Sequence, residues 1–193
     1  MRLKILIVCV LLLNACYSIA QLPERNWPDF SCGSEAIRLS FVELTLCIES
    51  GAFTNVQVLA GRTPSMVFEQ QDAERFDALF YEADASSVQA LAKQLAQTET
   101  WQVLDALFRL PAKAQKSELE TLLLRVFEIS DATTLLMMDK NNYRVFIRIN
   151  SQAADNTIYL AQVTSNELYR LVGNFSEQQA IHWLQQIEFT IHE

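Results

Sequence analysis

The sequence predicts an α+β protein: N-terminal strands, a central helical segment, and a C-terminal antiparallel meander closed by a final helix. Three observations carry the prediction. From Thr133 onward apolar residues recur with the period of two that a half-buried strand requires. Between Asp84 and Ser130 they recur at helical spacing, with hydroxyl residues where helices would start. Ahead of both, two short runs rich in strand-forming residues flank the turn sequence GRTP at 61–64.

The first element is a signal rather than a structural segment. Arg2 and Lys4 precede the apolar run Ile5 to Leu13, whose nine residues are about half the length of a membrane-spanning helix. Two processing readings compete. LLNAC makes Cys16 the candidate lipid attachment of a bacterial lipoprotein, which would leave the protein anchored to a membrane. Ser18 and Ala20 instead supply the small side chains that signal cleavage needs, with Gln21 as the new N-terminus. Asn14 and Tyr17 suit the lipoprotein site poorly, so cleavage after Ala20 is the expectation. Residues 1–20 are then signal and residues 21–193 form a single α+β domain, long enough for its own core. No later segment reaches 18 consecutive apolar residues, so no membrane span is expected after signal removal.

Residues 21–34 hold two prolines and a glycine and read as irregular chain. In AIRLSFVELTLCIES, Leu39 and Phe41 alternate with Arg38 and Ser40, as a strand would place them. Ile37, Phe41, Leu44 and Ile48 also share a helical face, so a helix ending at Gly51 competes over 36–50; a strand is the expectation. NVQVLA and SMVFEQ are strands around GRTP. DASSVQALAKQLAQ aligns Val88, Leu91 and Leu95, with Ser86 or Ser87 to cap it. TETWQVLDALFRLP follows as a helix stopped by Pro111. KSELETLLLRVFEIS opens with Ser117 and Glu120 at capping-box spacing and carries a broad apolar face of Leu119, Leu122, Leu123, Val126 and Phe127.

TTLLMMD and YRVFIRI form a hairpin around KNN. In the second strand Tyr143, Val145, Ile147 and Ile149 face one way, and Arg144, Phe146 and Arg148 the other. NTIYLAQVT and ELYRLVGNF continue the meander. SEQQAIHWLQQIEF closes the chain as a helix with Ser176 and Gln179 as its capping box.

Cysteine use follows from the compartment. Cys9 leaves with the signal and Cys16 leaves or is acylated, so Cys32 and Cys47 remain as an even pair in an oxidising environment. A disulfide between them closes a loop whose constraint is worth about 3 kcal/mol in the chain-entropy picture. A metal site would need further ligands, and none lie near in sequence.

Candidates for chemistry are few. His182 and His192 are the only histidines. Both read as surface residues near the C-terminus, where chains fray. No G-x-S-x-G, H-E-x-x-H or phosphate-loop motif occurs, and four glycines are too few to suggest a backbone anion cradle. The carboxylate pairs Glu118/Glu120 and Asp72/Glu74 could in principle serve a glycosidase, but each fits a helix start, where negative charge offsets the macrodipole. Met137 and Met138 point to opposite faces of a strand and cannot jointly hold a soft metal. Asn174 heads an N-x-S sequence, which carries little meaning in a bacterial chain. Arg144, Phe146 and Arg148 are the candidate partner-binding residues, since Arg and aromatic side chains anchor interfaces. The competing arrangement buries Phe146 under a helix with the two arginines lying over it.

The net charge of −8 becomes −10 once the two basic signal residues are removed. That balance argues against nucleic acid and permits a basic protein partner. The sequence therefore leads to a non-catalytic periplasmic protein acting by protein–protein binding, such as an inhibitor or immunity protein against a secreted toxin or hydrolase. No catalytic residue, metal or cofactor is assigned. A membrane-tethered envelope-assembly lipoprotein is the alternative, and a carboxylate-dependent hydrolase is the third reading.

Overall fold

The alternation that begins at Thr133 builds the centre of the molecule. A computed structural model describes residues 24–71, 75–151 and 155–189. The elements are β1 (Glu24–Asn26), β2 (Ile37–Phe41), β3 (Leu44–Ile48), β4 (Asn55–Leu59), β5 (Ser65–Glu69), β6 (Phe76–Glu82), α1 (Ser86–Gln89), α2 (Thr100–Arg109), α3 (Glu118–Val126), β7 (Thr134–Lys140), β8 (Tyr143–Ile149), β9 (Asn156–Gln162), β10 (Leu168–Gly173), α4 (Glu177–Gln185) and β11 (Ile187–Phe189). The fold is α+β, with the meander β7–β10 followed by α4. Residues 1–20, expected from sequence to be a signal and including Cys16, lie outside the described residues.

Eight strands form one large sheet in the order β1-β7-β8-β9-β10-β6-β5-β4, antiparallel except where β1 runs beside β7. A small sheet, β11-β3-β2, and α4 cover one of its faces. There Leu136, Val145, Ile147, Ile158, Leu160 and Leu171 meet Leu44, Leu46, Ile187, Trp183 and Leu184. On the other face Met137, Phe146 and Tyr159 lie against Val103, Leu104, Leu107 and Phe108 of α2, with Leu123 and Leu124 of α3 beside them. Strands β7–β9 are thus buried on both sides. No helix among the described residues is long and apolar enough to cross a membrane.

Residues 36–50 form strand, not helix, but as a hairpin of two strands. The turn places Val42 at φ 56°, a left-handed conformation that a β-branched residue adopts only under constraint. One constraint is visible: the Glu43 backbone N–H donates to the Tyr169 hydroxyl at 3.2 Å, and Tyr169 is fully buried. The Cys32–Cys47 disulfide forms, with Cα atoms 5.5 Å apart, and ties the irregular chain before β2 to the centre of the small sheet.

Several elements depart from expectation. The helix expected over 84–97 is α-helical only at Ser86–Gln89 and continues as turns. Neither serine caps it: Ala85 stands at the N-cap, and the Ser87 hydroxyl instead donates to Glu82 at 2.9 Å. The last helix stops at Gln185, and Ile187–Phe189 becomes a strand beside β3, where Phe189 stacks on Tyr143 with ring centroids 3.8 Å apart. The capping boxes of α3 and α4 form as the spacing predicts, with Ser117/Glu120 and Ser176/Gln179. Strand β6, between β5 and β10, carries no clean period of two because Phe76, Leu79 and Phe80 also mimic a helical stripe.

Candidate functional site

Walking across the large sheet along its register shows where one face is left open. On the helix side one row runs Met137, Phe146, Tyr159, Arg170, Phe80, Ser65, Leu59. The next runs Leu135, Arg148, Thr157, Val172, Ala78, Val67, Gln57. Phe146 is 0% exposed under α2, whereas Leu59 at the far end of its row is 50% exposed. Phe76, on the same face of β6, is 61% exposed. The helices therefore shield β7–β9 and end before β6, β5 and β4.

The helical layer stops in a step. A groove of about 480 Å³ lies there, walled by Val88 and Leu91 on one side and Leu123, Val126 and Phe127 on the other, over Tyr159, Leu168 and Val172. Helix α3 forms the outer wall and carries apolar residues on two sides. Leu123 and Leu124 are buried, while Leu119, Leu122 and Val126 are 43%, 52% and 65% exposed. Spaced three and four apart, these last three make an outward stripe. The single broad face expected from sequence is thus divided: the helix turns Leu123 and Leu124 to the core and leaves the stripe uncovered. Val126 belongs to both stripe and groove, and Val172 to both groove and open sheet face.

Two arginines stand at the groove floor in different states. Arg148 is a structural cation: its guanidinium meets Glu128 at 2.5 Å and donates to the Asp155 carbonyl and Thr157 hydroxyl at 2.9 Å. Arg170 is the freer one, with its guanidinium over the Phe80 ring at 5.2 Å and Glu82 4.0 Å away. Tyr159 lies between them; burial pushes its hydroxyl up in pKa, and the two guanidiniums pull it back. This surface joins exposed apolar side chains to one cation with a neighbouring aromatic, a combination that marks protein contact sites.

Of the residues singled out from sequence, Arg148 lies in the groove floor, and Arg144 and Phe146 sit elsewhere. Arg144, Phe146 and Arg148 do share one face of β8, and that face is the covered one. Phe146 packs against Phe108 with ring centroids 5.3 Å apart, and Arg144 lies over Trp101 at 4.4 Å with Asp139 3.6 Å away. A partner approaching from outside can reach the edge of Arg144 but meets α2 before Phe146. Of the residues that form the open surface, Val126 was read from sequence as part of the apolar face of α3, and Leu59, Phe76, Phe80 and Arg170 were not singled out. Recognising β6 as a strand would have supplied a signal, since it puts Phe76 and Phe80 on the same face as Leu59.

Other candidates resolve locally. Glu120 caps α3 and meets Lys113 at 2.6 Å, and this contact holds its carboxyl below the ordinary range. Glu118 is in the first turn of the same helix. His182 is exposed on α4, 3.1 Å from Gln186 and 3.8 Å from Glu49. Met137 and Met138 enter opposite cores, as strand geometry requires. Asn174 is exposed just ahead of α4. Asp72, Glu74 and His192 lie outside the described residues. Among the described residues no group of three or more His, Cys, Asp or Glu is placed to hold a metal ion.

One buried carboxylate does stand out. Asp77 on β6 is 2% exposed and accepts from Trp183 Nε1 at 3.1 Å and Gln70 Nε2 at 3.3 Å through Oδ2. Burial pushes its carboxyl up, and these two donors offset part of the rise. Gly173 makes room for it, because a Cβ there would come within 1.9 Å of Asp77 Oδ1. Asp77 lies on the small-sheet side, away from the open surface, and its surroundings are those of a core group.

A second groove, of about 670 Å³, runs beside β1 and β7 with Trp27, Asp29, Lys140 and Arg144 along it. The Lys140 ammonium sits over the Trp27 ring at 5.0 Å. Burial holds its pKa below the ordinary value, while Glu188 and Asp29 act in the opposite direction. Its cations are thus already matched by aromatic and acidic neighbours. No protein-family model matches the chain, and no curated protein matches it.

Proposed function

We propose that this chain is a non-catalytic binding protein of the bacterial cell envelope that holds a protein partner on the open half of its large sheet and the adjoining α3 stripe. The observation that carries the reading is the exposed apolar set Leu59, Phe76, Leu122 and Val126, of which Val126 also walls the groove. Large exposed apolar side chains on neighbouring elements are a feature of interaction sites. The signal-like N-terminus and the Cys32–Cys47 disulfide support an exported, oxidising location. An inhibitor or immunity role against a secreted toxin or hydrolase suits these features, and the acidic balance suits a basic partner. Tethering through Cys16 would change where the protein is held and leave this face available.

The test is affinity capture from an envelope extract with the exported protein and two variants, Phe76→Lys and Val126→Lys. The expected outcome is a stoichiometric protein partner that the parent recovers and both variants lose. Recovery of no such partner, or equal recovery by all three proteins, would refute the reading.

A further inference from the structure

The large sheet ends differently on its two sides. At one end β1 is three residues long, runs between Pro23 and Pro28 in sequence, and pins Arg25 to Glu177 at 2.7 Å. Short length, charge and proline are the usual devices that stop a sheet edge from pairing with another chain. At the other end β4 has none of them. Its five residues, NVQVL, carry no charge and no proline, and they pair one-for-one with β5 without a bulge. No strand lies on its outer side among the described residues. Both faces of its end are apolar and exposed, with Val58 at 64% and Leu59 at 50%.

We propose that two copies of this chain pair antiparallel along β4, about a two-fold axis at Gln57, and so join their large sheets into one. The strand suits itself as a partner. With Gln57 opposite Gln57, each Val56 faces the other copy's Val58 and each Leu59 faces the other copy's Asn55. The four valines then close into one apolar cluster on the small-sheet side, which shields the exposed Val58. Strand β4 itself carries no carboxylate, and Glu69 on β5 accepts from Gln57 Nε2 of its own copy at 3.1 Å. A two-fold contact uses the same patch twice and closes after two copies, so it does not grow into a fibre.

A five-residue seam buries less than the roughly 1,200 Å² of a standard stable interface. The dimer is accordingly weak and concentration-dependent, dissociating in the micromolar range. It rests on the free edge rather than on the partner surface proposed above, so either can fail alone.

Sedimentation velocity of the exported protein from about 1 to 200 μM tests it. The expected result is a shift from monomer to dimer across that range, with Val58→Lys weakening the association at least 20-fold and leaving the monomer's circular dichroism unchanged. A second variant probes the register. Under the two-fold axis Gln57→Cys gives an interchain disulfide under mild oxidation, whereas Leu59→Cys, facing Asn55, does not. Monomer at every concentration, a dimer indifferent to Val58→Lys, or equal cross-linking at both cysteine positions would each overturn the proposal. A monomer that still captures a partner would overturn this pairing and leave the binding function standing.

Discussion

Strands β7–β9 and strands β4–β6 belong to one sheet, share one register and are both rich in apolar residues, yet they end in opposite environments. In β7–β9 every apolar side chain meets another layer. Phe146 and Tyr159 sit under α2, and Ile147 and Ile158 sit over the small sheet and α4. In β4–β6 the small-sheet side carries the buried Met66, Phe68 and Leu79, and the other side carries the exposed Leu59 and Phe76 beside the small buried Ser65 and Ala78. Phe68 packs between a tilted Phe53 ring and the edge-on Trp183 ring, with centroids 5.2 and 5.0 Å away, while Phe76 on the other side faces water. The lesson is that composition alone does not separate a folding core from a contact surface. What separates them is how far the helical layer reaches.

The contrast can be broken most directly at Phe146. Phe146→Ala removes a fully buried ring between α2 and the sheet and should lower stability by about 3–5 kcal/mol, read from chemical denaturation. A loss below about 1 kcal/mol would mean that the helical layer is not seated on β8. Next in size is the tie that holds that layer in place. Asn166 Oδ1 accepts from Gln89 Nε2 at 2.8 Å and from the Thr100 backbone N–H at 3.3 Å, joining α1, α2 and the β9–β10 loop. Asn166→Ala removes the acceptor of the Thr100 backbone N–H, leaves Gln89 Nε2 its bond to Thr100 Oγ1, and should cost about 1–3 kcal/mol. Hydrogen exchange should then rise first in α1 and α2; uniform exchange across the sheet would argue against a separable layer.

A smaller effect belongs to Asp77, which the two halves share through Trp183. Its folded-state carboxyl is raised above the ordinary 3.8, so the native protein holds that proton more tightly than the unfolded chain. The stability this provides is full below pH 3.8 and is lost as pH rises through the raised value. Asp77→Asn keeps an acceptor for Trp183 and removes the titration. Urea midpoints of the variant should therefore gain on the parent as pH increases from about 3 to 7. A constant gap would show that the carboxyl does not titrate as described. The smallest stability change is expected at Phe76. Phe76→Ala on the open half should stay within about 0.5 kcal/mol of the parent while partner capture falls. A loss comparable with that of Phe146→Ala would erase the distinction between the halves.

Much of the fold was legible in local pattern. The strict alternation in YRVFIRI sorted its residues correctly between two faces, because neighbouring side chains on a strand must point apart. Ser117 and Ser176 named two helix starts, because a capping hydroxyl acts within one turn. Cys32 and Cys47 were the pair left once Cys9 and Cys16 were assigned to the N-terminal segment. The candidate site was far less legible. Arg144, Phe146 and Arg148 were placed on the right face of β8, but whether that face is covered depends on α2, which is distant in sequence. Strand β6 escaped because its apolar residues satisfy strand and helix spacing at once. Gly173 beside Asp77 is a contact between strands that no window of sequence contains.

The amino-acid sequence by itself determined the element types along most of the chain, two capped helices, the disulfide pair and the alternation of the meander. These follow from interactions between residues close in the chain or from chemistry that admits one pairing. Tertiary structure decided which apolar faces become core and which stay open. Leu119, Leu122 and Val126 differ from Leu123 and Leu124 only in the direction they point once α3 is seated, and Phe76 differs from Phe146 only in what lies above it. Burial is a property of what arrives from elsewhere in the chain, and hydrophobicity read residue by residue carries no record of that arrival.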